Sequence, residues 1–360
     1  MHTRLVTGVD VPAAIADVLG GGAAIAVAAD SGTVPSTWWL DGPALESGAA
    51  VLIGTSGSTA DPKGVLLTPD AIRAAAEASH HRLGGAGNWV CPLPLHYVAG
   101  MMTAARAAAA GTTVTLVPSD LSELPLLPGR NYVSVVVAQL HRGLESPDVV
   151  QALRGFDSVL VGGSAIPVGL VQRVRAAGIN LIATYGMAET CGGCVYDGVP
   201  LDGVRVELGE GRRISITADF VFAGYRLDSD ATAAALDGRT FRTQDRGAWS
   251  AGRLQVLGRL DEVVITGGVN VDLGRVQRAC DAAFGPGRIA LLALPDERWG
   301  VRIVALSELD LELAEVRRRV GDSVQPAALP RELRRVAGLP QTSTGKIDRR
   351  GLPQLWAEGS

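Results

Sequence analysis

Short apolar runs alternate along the first half of the chain with stretches whose apolar positions recur at helical spacing. Residues 23–29, 50–53, 113–117, 133–138, 158–161 and 181–184 read as buried strands. Segments 69–79, 98–110, 147–154 and 167–177 read as helices, and Pro69, Pro147 and Pro167 suit a first helical turn. Near-continuous apolar strands alternating with helices predict a parallel α/β sheet covered on both faces. From about 201 to 258 the texture changes to short alternating strands with Gly and Asp turns, such as 213–217 and 253–257, which predicts a β-rich subdomain. A boundary falls near 258–261. Beyond it, 262–266, 288–294 and 302–306 read as strands, and 272–283 and 311–321 as helices. That is a small domain of about 100 residues, an ordinary size. The Arg-rich stretch from Arg317 to Arg335 carries interleaved acids and prolines and reads as a solvated helix face.

Composition narrows the function classes. The chain has 360 residues, room for two domains and a sizeable core. A net charge of -4 and a pI near 5.8 oppose a nucleic-acid partner, which would call for a basic surface. Residues 83–105 contain no charged side chain, but Pro92, Pro94 and His96 interrupt them, so they read as core and site loop rather than a membrane span. Residues 1–10 show no apolar signal core. The expectation is a cytoplasmic protein without stable membrane insertion. A homodimer is carried as a further expectation.

Four cysteines are too few for a disulfide framework. Cys191 and Cys194 form a lone Cys-Gly-Gly-Cys, open to a redox or half-zinc reading. No second Cys/His pair stands at zinc spacing, which favours small residues packing a glycine-rich loop. The lysines say more. Lys63 and Lys346 are the only two, and the other 31 basic residues are Arg. A chain that takes Arg for generic positive charge keeps Lys where a compact, flexible ammonium is needed. Both lysines fall in Gly-containing loops beside Ser and Thr.

The first of these loops is Gly54-Thr-Ser-Gly-Ser-Thr-Ala-Asp-Pro-Lys-Gly64. Backbone N–H groups and hydroxyls of such a loop cradle phosphate oxygens, and the lysine adds charge. The Gly-x4-Gly-Lys-Ser/Thr spacing is absent, which disfavours a P-loop NTPase. The segment resembles the phosphate-loop signature of the adenylate-forming superfamily, which includes acyl-CoA synthetases, luciferases and peptide-synthetase adenylation domains. It departs from that signature only at Ala60.

Further segments match in the same order, from Thr55 to Ile347. Residues 183–190 (Ala-Thr-Tyr-Gly-Met-Ala-Glu-Thr) resemble the Tyr-Gly-x-Thr-Glu motif, with Ala188 in place of Thr. Residues 161–167 resemble the Gly-Gly-Ala-Pro segment. Phe241-Arg-Thr-Gln-Asp245 resembles Tyr-Arg-Thr-Gly-Asp, with Gln244 in place of Gly. Residues 258–262 resemble the hinge motif, and 339–347 the C-terminal lysine loop.

The resemblance implies nucleotide contacts from Thr55, Ser56, Gly57, Ser58, Thr59 and Lys63. It adds Gly163, Ser164 and Ala165, then Tyr185 (stacked on adenine), Gly186, Met187 and Ala188. Asp245 would take the ribose hydroxyls, and Arg259 the ribose or phosphate. Glu189 would hold Mg2+, a hard cation suited to a carboxylate. Lys346 would reach the α-phosphate as the catalytic cation. Gly267 and Gly268 would line the arm of coenzyme A, and Asp261 would be the hinge.

The implied architecture is an N-terminal adenylation domain over 1–258 with its β-rich part about 201–258. A hinge at 259–261 and a mobile α+β lid domain over 262–360 would follow. The region before Thr55 is shorter than is usual in the superfamily.

Three segments narrow the substrate. Residues 92–100, 135–144 and 186–196 are similar to o-succinylbenzoate–CoA ligases of menaquinone biosynthesis. The resemblance implies activation of that acid by ATP as an acyl-adenylate with release of pyrophosphate, then transfer to coenzyme A. The substrate has two carboxylates, and the aromatic one needs a partner inside the pocket. His96 (also a catalytic, gating candidate), Gln139, Gly162, Ser164 and Gly186 are candidate substrate contacts, and Arg106 is a candidate counter-charge. His2, His80, His81 and His141 read as structural or exposed. Rival readings are an enzyme for another aryl or short acid, one that loads a carrier protein, and a non-catalytic binding module on the same fold.

A carboxylate must attack an anionic phosphorus, so positive charge aimed at that centre is the main lever. Lys346→Ala is expected to lower adenylation about a hundredfold or more in pyrophosphate exchange. Transfer to coenzyme A from preformed adenylate should persist. Equal loss of both half-reactions would contradict the assignment.

Overall fold

The computed structural model describes residues 3–32, 34–35, 38, 40, 43–55, 63–341 and 347–358. The chain divides into two compact units. Unit 1 comprises Met1–Glu207, Ser215–Thr243 and Trp249–Leu254, and unit 2 comprises Leu208–Ile214, Gln244–Ala248 and Gln255–Ser360.

Unit 1 carries a seven-stranded sheet in the order Val199–Pro200, Gly192–Tyr196, Leu181–Met187, Ser158–Gly162, Asn131–Val136, Asn88–Cys91, Thr115–Leu116. The last five run parallel, and the first two turn back antiparallel. Its core packs Val133, Val135, Val159 and Val161 against Leu170 and Val174 of the helix Val168–Ala176. A five-stranded sheet orders Arg4–Thr7, Ile25–Ala28, Val51–Gly54, Gly64–Leu67 and Gly224–Tyr225, parallel across the first three and antiparallel after them. The helices Val11–Leu19 and Pro69–Leu83 both pack on Val98–Ala109. The expected α/β class is therefore present, with antiparallel strands closing both sheets.

Local chemistry sets the element ends. Thr68 accepts from the Ala71 N–H at 3.1 Å to cap Pro69–Leu83. Gly84, at φ 87°, ends that helix, four residues beyond the expected 79. The sequence continues strand 133–138, whereas the strand stops at Val136 and a helix, Val137–Gly143, begins. Gln139 Oε1 accepts the Val136 N–H at 3.0 Å, a capping bond that apolar patterning does not reveal. A short helix at Ser229–Ala235, capped by Asp228, was also not expected. The β-rich region forms a sheet of Arg205–Leu208, Arg213–Thr217, Thr240–Ser250 and Leu236–Asp237, with Arg253–Arg259 on Thr240–Ser250; its residues are divided between the units.

Unit 2 pairs Ile289–Asp296 with Gly300–Ser307 antiparallel, and Gly300–Ser307 with Glu332–Arg335 parallel. The helices Leu273–Phe284 and Leu313–Gly321 bury Val276, Cys280, Val316 and Val320 with that sheet. Arg317, Arg318 and Arg319 are exposed, as a solvated helix face requires. Arg331 and Arg334 are not part of such a face: they are half-buried and stack on Trp299 and Trp356 at 3.7 and 4.0 Å. Arginine combines charge with a planar face, and here the planar face decides its place. Among the described residues, no helix is long and apolar enough to cross a membrane.

Arg226 anchors the segment before the first loop. Its buried guanidinium donates to the carbonyls of Trp38, Pro43 and Ala44 and to Glu46 at 2.7–3.1 Å. Burial would raise the Glu46 pKa, but the bonds from Arg226 and Leu227 outweigh it and hold the carboxyl below its ordinary 4.5. Its contribution is thus complete above that value and lost as pH falls through the depressed one. Arg226→Ala, which orphans three carbonyls, is expected to cost about 3–5 kcal/mol in urea unfolding. An unchanged midpoint would contradict this role.

Candidate functional site

Strands Val51–Gly54 and Gly64–Leu67 bring the two ends of the first loop together, and the Thr55 N–H donates to the Lys63 carbonyl at 3.1 Å. Ser56, Gly57, Ser58 and Thr59 lie outside the described residues. Lys63 is exposed, and its Nζ stands 4.7 Å from the ring centroid of Tyr225. Tyr225 Oη in turn donates to Glu189 Oε1 at 2.8 Å. Glu189 is buried on the 3-10 turn Ala188–Thr190 that ends strand Leu181–Met187. The structure therefore brings Lys63 and Glu189 together through a tyrosine that sequence reasoning missed. The one available signal was a Gly-Tyr pair in a chain with five tyrosines.

The other unit 1 candidates follow the carboxyl ends of parallel strands, the usual ligand crevice of such sheets. Strand Ser158–Gly162 runs into the exposed Gly163, Ser164 and Ala165, and its neighbour carries the half-buried Tyr185, Gly186 and Met187 and the buried Ala188. A Cβ on Gly186 would stand 1.9 Å from the Gly192 carbonyl, and one on Gly162 would stand 2.5 Å from Thr184 Oγ1. Both positions therefore need glycine for close approach. His96 follows Asn88–Cys91 and is half-buried, its ring 4.2 Å from that of Tyr97. Burial lowers its pKa, against the opposing charge of Asp30, so the imidazole is neutral at pH 7.

Gln139, expected as a substrate contact, has a structural role that the sequence did not show. Both bonds from its amide nitrogen go to protein, to the carbonyls of Pro92 and Ser119 at 3.0 Å, and Oε1 caps Val136. It braces the loops around the crevice, and its donors are committed.

Arg106 is 4% exposed. Its guanidinium lies 5.1 Å over Trp89, and Nε donates to Ser79 Oγ at 3.2 Å. Among the described residues it has no carboxylate partner. A Cβ on Gly192 would stand 3.7 Å from Arg106 Nη2, which places the guanidinium beside the strand that pairs Gly193 with Gly186. Burial pushes the Cys191 and Cys194 thiols up to about 12, and both side chains are packed in the core.

In unit 2, Arg259 grips Asp261 through two bonds, Nε to Oδ1 at 2.7 Å and Nη2 to Oδ2 at 2.6 Å. Its Nη1 stands 3.9 Å from Asp245. The bonds to Asp261, foremost, and the nearby acids raise the Arg259 pKa. Gly267 and Gly268, at φ 57° and 78°, form the turn between Val263–Thr266 and Val269–Asp272. The Gly267 N–H donates to the Trp299 carbonyl at 2.8 Å. Lys346 lies outside the described residues, bracketed by a bridge between Gln341 and Ile347.

Tyr225→Phe should lower stability by about 1.5–3 kcal/mol in urea unfolding, the weight of a hydrogen bond to a charged group. An unchanged midpoint would show that Glu189 does not depend on it.

Residues 25–215 match the family model described as AMP-binding enzyme. A relative from Mycobacterium tuberculosis, described as a probable 2-succinylbenzoate–CoA ligase, is 39% identical over 88% of this chain and 87% of its own. The structure of o-succinylbenzoate CoA synthetase from Bacillus subtilis, in complex with the acyl-adenylate intermediate OSB-AMP, superposes with a TM-score of 0.74 at 20% identity. That match covers 95% of this chain and 80% of the other. The amide bond synthetase McbA from Marinactinospora thermotolerans superposes with a TM-score of 0.73 at 23% identity, over 92% and 75%. These two likenesses establish the fold, and the family match and the mycobacterial relative establish more: the chain belongs to the AMP-binding enzyme family.

Proposed function

We propose that this chain is an o-succinylbenzoate–CoA ligase that forms the acyl-adenylate from ATP and then passes the acyl group to coenzyme A. The observation that carries the choice of acid is Arg106. A guanidinium removed from water without a carboxylate is costly. A substrate with a second, aromatic carboxylate would supply the missing charge. The similarity to the mycobacterial relative, which spans most of both chains, supports the same acid.

In the first half-reaction, the aliphatic carboxylate oxygen attacks the α-phosphorus and the bond to the β-phosphate breaks. Thr55, Lys63 and the loop between them would hold the departing pyrophosphate. Tyr185 would stack on adenine, and Gly163, Ser164 and Ala165 would border the nucleotide. Asp245 would accept the ribose hydroxyls, with Arg259 beside it, and Lys346 would face the α-phosphate.

Glu189 fits Mg2+ in a limited way. No group of three or more acidic, His or Cys side chains is placed for a metal among the described residues. Glu189 would therefore give one carboxylate, with phosphate oxygens and water completing the shell, as this ion accepts. When bound, the ion would offset phosphate charge.

In the second half-reaction the thiol attacks the acyl carbon and AMP leaves. Gly267 and Gly268 would border the thiol arm. Beside them, Arg298 and Arg331 lie 4.9 and 3.7 Å from the Trp299 ring and have no carboxylate partner among the described residues, which suits a phosphorylated thiol. Asp261 is the proposed hinge, its carboxylate latched to Arg259. Neutral His96 beside Tyr97 is suited to gating the acyl site by packing. A cytoplasmic location follows from the use of ATP and coenzyme A.

Pyrophosphate exchange across a panel of acids tests the proposal. Exchange should be fastest with o-succinylbenzoate, and the adenylate should go to free coenzyme A. Faster exchange with another aryl acid, or transfer only to a carrier protein, would redirect the assignment. No exchange with any acid would favour a binding module.

A further inference from the structure

Four elements of unit 1 converge on Arg106. Helix Val98–Ala109 carries it, helix Pro69–Leu83 supplies Ser79 and His80, strand Asn88–Cys91 supplies Trp89, and strand Gly192–Tyr196 supplies Tyr196. All five side chains are buried. Ser79 Oγ stands 3.0 Å from Tyr196 Oη and accepts from Arg106 Nε. Trp89 gives Arg106 its planar platform and is itself held on two sides. Its Nε1–H donates to His80 Nε2 at 3.1 Å, and its ring packs against Tyr132 at 5.0 Å. An acceptor Nε2 carries no proton. Burial, and then the charge of Arg106, push the His80 pKa down to about 4, so the ring stays a neutral acceptor at physiological pH.

Polar side chains of this kind are expensive to bury and are retained only when satisfied. An apolar core would fill the same space at less cost. The arrangement does something that such a core would not. It fixes the guanidinium by a bond at Nε and a face contact on Trp89, with Nη2 beside the side-chain-free Gly192.

We infer that Ser79 and the His80–Trp89 pair are positioning residues for substrate selection: they hold Arg106 pre-oriented for a carboxylate on the ring of the acyl substrate. This rests on the reading of Arg106 given under Proposed function. Pre-orientation matters because a guanidinium that must reorganise spends part of its binding energy doing so.

The test is pyrophosphate exchange by the full-length protein with o-succinylbenzoate and with benzoylpropionate, which lacks the ring carboxylate. Ser79→Ala and His80→Leu should each raise KM for o-succinylbenzoate about tenfold, the weight of one hydrogen bond to a charged group. KM for benzoylpropionate and kcat for both acids should stay within about twofold. His80→Gln, which keeps an acceptor for Trp89, should restore most of the loss. Ser79→Cys, close in size but a weak acceptor, replaces Ser79→Ala if that variant does not fold. A KM shift common to both acids would overturn the inference, because a merely structural role moves them together. So would unchanged KM values in variants whose selectivity still falls with Arg106→Gln. If Arg106→Gln itself leaves the ratio of the two acids unchanged, the reading of Arg106 fails first.

Discussion

A guanidinium buried without a carboxylate is among the costlier things a protein interior can hold. Arg106 is such a group, and the surrounding part of unit 1 is arranged to tolerate it. Trp89 offers its ring face, Ser79 one acceptor, and the strand corner at Gly192 no side chain at all. No acidic residue is spent on neutralising it among the described residues. Within the family to which the chain belongs, the acid to be activated varies while the nucleotide chemistry is shared. A charge left unanswered by protein is a direct means of choosing an acid that brings its own.

The nucleotide end has a different logic. Lys63 and Tyr225 come from the five-stranded sheet or its edge, and Glu189 follows the seven-stranded one. The bond from Tyr225 to Glu189, together with that from the Phe222 N–H to the Glu189 carbonyl at 2.9 Å, ties the two sheets at this turn. The cation then stands over the face of one aromatic ring whose hydroxyl holds the carboxylate. The proposed nucleotide site and the sheet packing therefore share these contacts.

Much of this was legible in the sequence where function depends on contiguous residues. The loop from Gly54 to Gly64, the strand ending at Tyr185–Met187 and the paired Gly267–Gly268 stand out in the sequence as candidate site segments, because glycine, hydroxyl and lysine content in a short window suits phosphate and close-approach chemistry. Tyr225 was scarcely legible, since its partner lies 36 residues away and only a Gly-Tyr pair marks it locally. Gln139 reads as a substrate contact in the sequence, and its bonds to the backbone of Val136, Pro92 and Ser119 become visible only in the fold. Arg331 and Arg334 were misread as solvated because charge density in sequence does not show which arginines lie flat on tryptophans. Arg106 was visible only as a charge at the end of an uncharged stretch, and its isolation from carboxylates is a property of packing.

Pairing of Arg106 by the substrate's own ring carboxylate should appear as an energetic coupling between the two groups. Calorimetric binding of two non-hydrolysable adenylate analogues, one with that carboxylate and one without, to the wild-type chain and to Arg106→Gln measures the coupling directly. The wild-type chain should prefer the analogue with the carboxylate by at least about tenfold, and the preference should disappear in the variant, a coupling of about 1.4 kcal/mol or more. An equal preference in both proteins would contradict it.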